Sequence, residues 1–558
     1  MTDPISRRNF LGKSVGALAG LGLMSTSGEF LSSCSSNSSS SSSNLPSAIS
    51  TKPPKRGGNL IIGIEDETDG FDPTQSRFDN AGVVYARAVF DPLATVSRSG
   101  KVVPYLAESL TPNQDYTIWT IKARSNINFH DGTPFDGNAI KQNFDAMKAG
   151  PYGFIASAFG SVTLIDAMTV QLNMLSPWVP FDYWLTGYIG GQMAYMASPK
   201  MLNKQDGYGP SHPSGTGPFV FESWTPNVEF KATANKNYWR KGLPYLDSIT
   251  VKPIVDPNAR VSSLQAGTID LAHFGTGQPI SQLVGSPNIS RVTDLNLPAG
   301  EPDITFIMLN CWPTKAPLNN IYARQALAYA TDTSKYLSTI GGNIEIPTDS
   351  VFAPSTPFYT KTTYPKYNLE KAKQAVAKYK KSSGSSSLAF TLGATNDPID
   401  IQEAQLMASM WQQAGITVNI NTSYLTSQQI GTALSGQYDA FIWRQFGSIH
   451  PDLNYIFWDG NGMSQNFALN FARMNDPLTN QYLQAAREEP NFNTAAQYYQ
   501  KMSERLAVDL PYILTSRAVW NLAAYGNVQN FNNPTTVDGS PALGMLAGMF
   551  FVTEVWKS

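Results

Sequence analysis

Cysteine is nearly missing. The 558 residues contain two, Cys34 and Cys311, and if Cys34 carries lipid then Cys311 has no partner, so no intrachain disulfide holds the mature body and its stability must come from packing. Histidine is almost as scarce: His130, His212, His273 and His450 are too scattered to suggest a metal site, and all read as turn or surface residues except His450, which falls in a candidate binding loop. No Cys-x-x-Cys or His-Glu-x-x-His pattern occurs, and beyond residue 24 no Gly-x-Ser-x-Gly, which removes the commonest hydrolase, thiol-redox and zinc-protease chemistries from the body of the chain. Gly12, Lys13 and Ser14 imitate the end of a phosphate loop, but Arg7 stands where its first glycine is required. Lysine and arginine number 40 against 42 acids, so there is neither a basic stripe for nucleic acid nor an acidic tail. Beyond residue 24 no apolar run approaches the ~18 residues that would span a bilayer.

What is present begins at the N-terminus. Arg7 and Arg8 precede a Gly- and Ala-rich apolar run, 15–24, too short to cross a membrane and read as the core of an export signal. Leu31, Ser32, Ser33 and Cys34 resemble a bacterial lipoprotein cleavage box, in which the cysteine becomes the acylated first residue of the mature chain. Two or more acyl chains there would anchor stably. Residues 34–58 are serine- and proline-rich, a composition that cannot bury enough apolar surface to fold. A flexible stretch of that length reaches about 25–30 Å, so the body is expected close to a membrane, on its extracytoplasmic side.

Removing 33 residues leaves 525, enough for about three domains or subdomains. Strand signals come early, at 59–64 and 116–122, and the runs 218–224 and 228–233 flank a Thr-Pro-Asn turn as a hairpin with one wet face. Ile140, Phe144 and Met147 take helical spacing behind a cap at Asp136. From about residue 300 the elements alternate: strand at 388–392, helix at 401–413, strand at 416–420, helix at 427–434, strand at 438–443. That is a βαβαβ lobe, whose ligands should collect outside the carboxyl ends of its strands, near loops 395–400 and 444–452. The fold class is therefore α/β with two dissimilar lobes and mixed sheets.

Several motifs carry a family resemblance. Gly215, Thr216, Gly217, Pro218 and Phe219, followed by Asn237, Tyr238, Trp239, Pro244, Leu246, Asp247 and then Gly267, Ile269, Asp270, resemble the family 5 solute-binding proteins of bacterial ABC importers, the receptors for peptides, dipeptides and nickel. Phe129, Asp131, Gly132, Pro134 and Phe135, the run from Arg324 to Asp332, and Tyr438 with Asp439 support it. The resemblance implies a type II periplasmic-binding-protein-like fold of the large class. Lobe I would span 59–300 with an extra subdomain at about 78–202, lobe II would span 301–515, and 516–558 would return to lobe I. It also implies a hinge, a monomer that closes on a small solute or peptide, and delivery to ABC permease subunits, with no enzymatic step, cofactor or metal.

Two departures bear on the ligand. Peptide receptors of this family commonly place an acid for the ligand amine after the strand at 438–443, where this chain has Phe446, Gly447 and Ser448, and Asp452 is the first acid. Dipeptide receptors place an arginine for the ligand carboxylate near the start of the helix at 401–413, where this chain has Asp400, Ile401 and Gln402. The expected cleft therefore lacks charged anchors and favours longer peptides held by backbone contacts, or neutral, aromatic, sugar-like or metal-chelate ligands. Candidate ligand contacts are Trp443, Arg444, Phe446 and His450, with Asn310 and Trp312 after the strand at 304–309. Arg444 serves equally well as an interlobe salt-bridge donor. A secreted cofactor enzyme is a second reading, because twin-arginine signals export folded cofactor proteins, but cofactor motifs are absent. A structural or sensory lipoprotein is a third.

The N-terminal reading predicts that changing Arg7 and Arg8 together to Lys blocks export. Cys34→Ala should leave export intact but release the protein into the soluble fraction. Fractionation with immunodetection checks both, and normal export of the double variant would refute the twin-arginine assignment.

Overall fold

The computed structural model describes residues 52–558 apart from 77, 152, 189–190 and 295–298; the expectations for Arg7, Arg8, Cys34 and most of the serine-rich segment fall outside them. A seven-stranded mixed sheet forms lobe I. Its order is Ile289–Thr293, Asn521–Tyr525, Leu271–Phe274, Asn59–Ile64, Ser248–Pro253, Glu229–Ala234 and Phe219–Thr225, so a late strand sits between two that precede it by more than 200 residues. Strand Asn59–Ile64 runs parallel to Ser248–Pro253 and Leu271–Phe274. The last two strands of the sheet form the hairpin read from the sequence, one residue later at each end.

Lobe II is a six-stranded sheet of order Ile346–Pro347, Tyr512–Arg517, Ile304–Leu309, Ala440–Gln445, Leu388–Thr395 and Ile416–Tyr424. The last three run parallel. Strand Ile304–Leu309 is apolar nearly throughout because both its faces are covered. Ile304, Phe306 and Met308 join a core with Phe441, Tyr512 and Leu514, while Ile307 and Leu309 join one with Leu388, Met407 and Trp411. A separate four-stranded antiparallel sheet comprises Ala107–Pro112, Ile118–Ala123, Thr169–Met174 and Phe159–Asp166. Among the described residues no helix is long and apolar enough to cross a membrane.

The motifs that carried the family resemblance turn out to be structural. Gly215 and Gly217 press against the end of helix Val83–Val89, where a Cβ on either would fall 2.2 Å and 2.5 Å from Val89 backbone atoms. Directly after that helix, Asp91 is buried and accepts from the Thr216 hydroxyl at 3.1 Å, the Tyr238 hydroxyl at 3.0 Å and the Trp239 indole at 2.8 Å. One carboxyl thus gathers motifs spread over 148 residues of separation. Burial pushes it up to about 6 against those three hydrogen bonds.

The chain passes between the lobes twice, from Ile289–Thr293 to Ile304–Leu309 and back from Tyr512–Arg517 to Asn521–Tyr525. Trp520 ties the two passages together. Its backbone N–H donates to Asp294 at 2.9 Å and its indole N–H to Asp303 at 2.9 Å, with both acids buried on the opposite passage. Burial raises both carboxyls, Asp294 to about 8.

A second hub lies around Asp452, which is fully buried. It accepts from the indoles of Trp178 at 2.8 Å and Trp184 at 2.7 Å, and pairs with Arg487 at 2.8 Å and 3.1 Å. The Arg487 guanidinium lies 3.5 Å from the Tyr455 ring centroid. With both carboxylate oxygens engaged, Asp452 is a fastener between distant segments. Removing one partner of such a buried pair strands the other, so Asp452→Ala should lower stability by about 3–5 kcal/mol in guanidinium unfolding; a loss under about 1 kcal/mol would contradict this role.

Candidate functional site

The carboxyl ends of the parallel strands of both sheets face one cavity of about 290 Å³. From lobe I it is lined by Glu65 and Asp66 after strand Asn59–Ile64, by Val255 and Arg260 after Ser248–Pro253, and by Gly275 and Thr276 after Leu271–Phe274. From lobe II come Thr395 to Asp397 after Leu388–Thr395, Thr426 after Ile416–Tyr424, and Trp443 with Arg444 near the end of Ala440–Gln445. Side chains there project beyond the hydrogen-bonded ladder, which is why ligands of open α/β sheets collect at this end. A second cavity of about 250 Å³ adjoins the Asp452 hub, between 154–158 and 455–470, away from both parallel sets.

Two of the six candidate contacts, Trp443 and Arg444, line the interlobe cleft. Trp443 is half-buried, donates to Gln445 at 2.8 Å and packs edge-on against Phe471 with centroids 5.3 Å apart. Arg444 reaches across to lobe I, donating to the Gly275 carbonyl and lying 4.1 Å above the Trp520 ring centroid. Of its two sequence readings the structure favours the interlobe bridge, made to a carbonyl and a ring face instead of a carboxylate.

The other four candidates sit elsewhere. Phe446 takes a left-handed backbone (φ 85°) that turns its ring into the core, stacked on Phe306 at 5.2 Å and an interplanar angle of 3°. Asn310 and Trp312 follow strand Ile304–Leu309, whose antiparallel pairing sets Leu309 opposite Ala440 and Ile304 opposite Gln445. The end of that strand is therefore the end of the sheet remote from the cleft, where Asn310 binds the carbonyls of Gly436 and Tyr438 at 3.1 Å and 2.9 Å. His450 caps the short helix Pro451–Asn454, accepting from the Asp452 N–H at 3.2 Å and stacking on Tyr183 at 4.7 Å. Burial pushes it down to about 4, so it is neutral at pH 7. His273 is not a turn or surface residue either. It lies in the central strand Leu271–Phe274, fully buried, with Nδ1 2.7 Å from Glu65 and its ring stacked on Trp520 at 4.9 Å.

The expectation of a cleft without charged anchors is overturned by helix Pro398–Gln412 and its surroundings. Asp397 caps that helix, accepting from the Ile399 N–H at 2.7 Å, and Asp400 and Glu403 follow on adjoining turns. Glu345, held by the Ser516 hydroxyl at 2.6 Å and the Gly277 N–H at 3.2 Å, completes an acidic wall. Opposite it, Arg260 extends from helix Pro257–Gln265 of lobe I with Glu65 beside it. Burial raises Asp400 to about 6, reinforced by Asp397 and opposed by Thr395 and Arg444. Burial, Asp400 and Glu345 raise Glu403 well above the ordinary range against a hydrogen bond from Tyr336. Burial also acts on Glu65, but His273, Arg260 and Arg444 outweigh it and hold that carboxyl at about 2. Glu403 was missed although its signal is legible: it occupies a position in the apolar stripe Ile399, Ala404, Met407, Met410, Trp411, where a glutamate has no packing purpose.

Residues 101–467 match the bacterial extracellular solute-binding proteins, family 5 (middle). The chain is 25% identical to the glutathione-binding protein GsiB of Salmonella paratyphi A over 84% of its own length and 86% of that protein. It is 29% identical to the nickel-binding periplasmic protein of Escherichia coli K12 over 52% of its length and 55% of that protein. Among solved structures, the periplasmic binding protein DppA of Helicobacter pylori with the peptide STSA superposes with a TM-score of 0.76 at 20% identity, covering 88% of this chain and 98% of that one. The oligopeptide-binding protein AppA of Bacillus subtilis, in complex with a nonapeptide, gives 0.76 at 20% identity, covering 91% and 100%.

The raised Asp400 carboxyl makes a signed prediction. Its folded value of about 6 exceeds the ordinary 3.8, so the folded state holds an extra proton between those values and its stability falls as pH rises through them. Asp400→Asn removes that dependence. Unfolding curves of variant and wild type should coincide near pH 4 and separate by about 1–3 kcal/mol in favour of the variant at pH 7; a constant difference across the range would contradict the assignment.

Proposed function

The chain belongs to the bacterial extracellular solute-binding proteins of family 5, and we propose that it captures a peptide between its two lobes and hands it to an ABC import permease. The observation that carries this reading is the convergence of both sets of parallel strand ends on one charged cleft beside the hinge residue Trp520. A ligand touching both walls gains contacts in the closed arrangement that it lacks in an open one, so binding and closure are linked. A peptide suits a cleft that sets acids on one wall and Arg260 on the other, because it carries both an ammonium and a carboxylate. The peptide complexes of DppA and AppA share the fold.

In this reading the cleft binds its solute without changing it. Among the described residues no group of three His, Cys, Asp or Glu side chains is arranged to hold a metal ion. Cys311 is buried, and burial pushes its thiol up to about 11, which makes it an inert core residue. In this reading the mature chain is a monomer exported through Arg7 and Arg8, tethered by acylated Cys34, and free to meet its permease at the membrane surface.

Mass spectrometry of solute released on denaturation identifies the ligand. Refilled at ~100 times its dissociation constant, it should stabilise the protein by about 2.7 kcal/mol and leave unchanged in mass. Trp443→Ala should weaken its binding more than tenfold, as loss of a buried aromatic contact costs about 2 kcal/mol. Conversion of the ligand into a product would refute the binding-protein reading.

A further inference from the structure

Lobe II places more acid on the cleft than its cations neutralise. Asp397, Asp400, Glu403 and Glu345 all feel Arg444, yet that guanidinium is committed to the Gly275 carbonyl and the Trp520 face. Three of the four acids are likewise committed: Asp397 to the Ile399 N–H, Asp400 to the Thr395 hydroxyl, Glu345 to Ser516 and Gly277. Glu403 is different. It is 3% exposed and lines the cleft, Tyr336 binds one of its oxygens, and Oε1 is buried with no hydrogen-bond partner. Buried acceptors are almost always satisfied, so an idle carboxylate oxygen at a ligand cavity marks where a donor belongs.

Resting on the solute-capture reading above, we propose that Glu403, flanked by Asp400 and Glu345, forms a cationic subsite that takes the ammonium or guanidinium group of a basic peptide side chain. Such a group brings several N–H donors and a positive charge into a place where water is scarce and Coulomb attraction is strong. A ligand carboxylate in the same position would meet acids on adjoining turns of one helix and be repelled. Burial and the neighbouring acids favour the protonated form of Glu403, so arrival of the cation favours release of that proton to solvent. The subsite is therefore specific for charge and records its own occupancy as proton release.

Titration calorimetry of the full chain with trilysine, trialanine and triglutamate, repeated in buffers of different ionisation heat, tests this. Trilysine should bind at least tenfold more tightly than trialanine and release protons at pH 7, with triglutamate weakest. Glu403→Gln, a near-isosteric neutral change, should erase the proton release and bring trilysine affinity down to that of trialanine, a loss at least tenfold larger for trilysine than for trialanine; Asp400→Asn should reduce the preference partway. Equal affinity of the three peptides, or a preference that survives Glu403→Gln, would overturn the subsite while leaving peptide capture standing. A cadaverine arm separates the remaining case. If no peptide binds but cadaverine does, and Glu403→Gln abolishes it, the subsite holds and the peptide reading fails; if neither peptide nor cadaverine binds, both fall.

Discussion

Trp520 is the point on which the two-lobed arrangement turns. The lobes communicate through two chain passages, and this one side chain sits on the second while both of its N–H groups are held by buried carboxylates of the first. Its ring is shared as well. His273 of lobe I stacks on it, Arg444 of lobe II lies over it, and it faces the cleft. Hinge, interlobe bridge and ligand cavity are thus one contiguous packed unit. A change in the spacing of the lobes must alter contacts at the cleft floor, and a ligand filling the cleft must bear on the hinge. Packed interiors switch between discrete arrangements more readily than they deform, which is how a small solute can select one arrangement of a chain this size.

The electrostatics of the cleft follow from the same geometry. Carboxylates that would be unremarkable on a surface are carried by the helix Pro398–Gln412 to the mouth of a sheet, where burial raises them. Where a counter-charge is present the result reverses, as at Glu65, held low by His273, Arg260 and Arg444. The acidic wall and the arginine opposite leave lobe II short of positive charge unless something enters. In contrast, the Asp452 cluster has equal burial but complete pairing, and so serves as a fastener.

Most regular elements were legible because their signals are local. The hairpin at 219–234 and the alternating strands and helices of 388–445 appear within a few residues of their expected ends, since period, caps and turn residues are written side by side in the chain. The site was legible in part, where it depends on strand ends alone: loop 395–400 and Arg444 follow from the βαβ pattern. What failed depends on distance. Nothing near Asp452 announces indoles 268 and 274 residues away. Phe446 was misplaced because one residue in the left-handed region reverses its ring, and Asn310 and Trp312 because an antiparallel strand ends at the opposite edge from its parallel neighbours.

The central claim is that solute is captured by closure of the lobes about this hinge. Spin labels on two exposed helical serines, Ser262 of lobe I and Ser427 of lobe II, report the gap directly through pulsed dipolar distance measurement. Adding the co-purified solute to saturation should shift the distance distribution to shorter values and narrow it. An identical distribution with and without bound solute would contradict capture by closure.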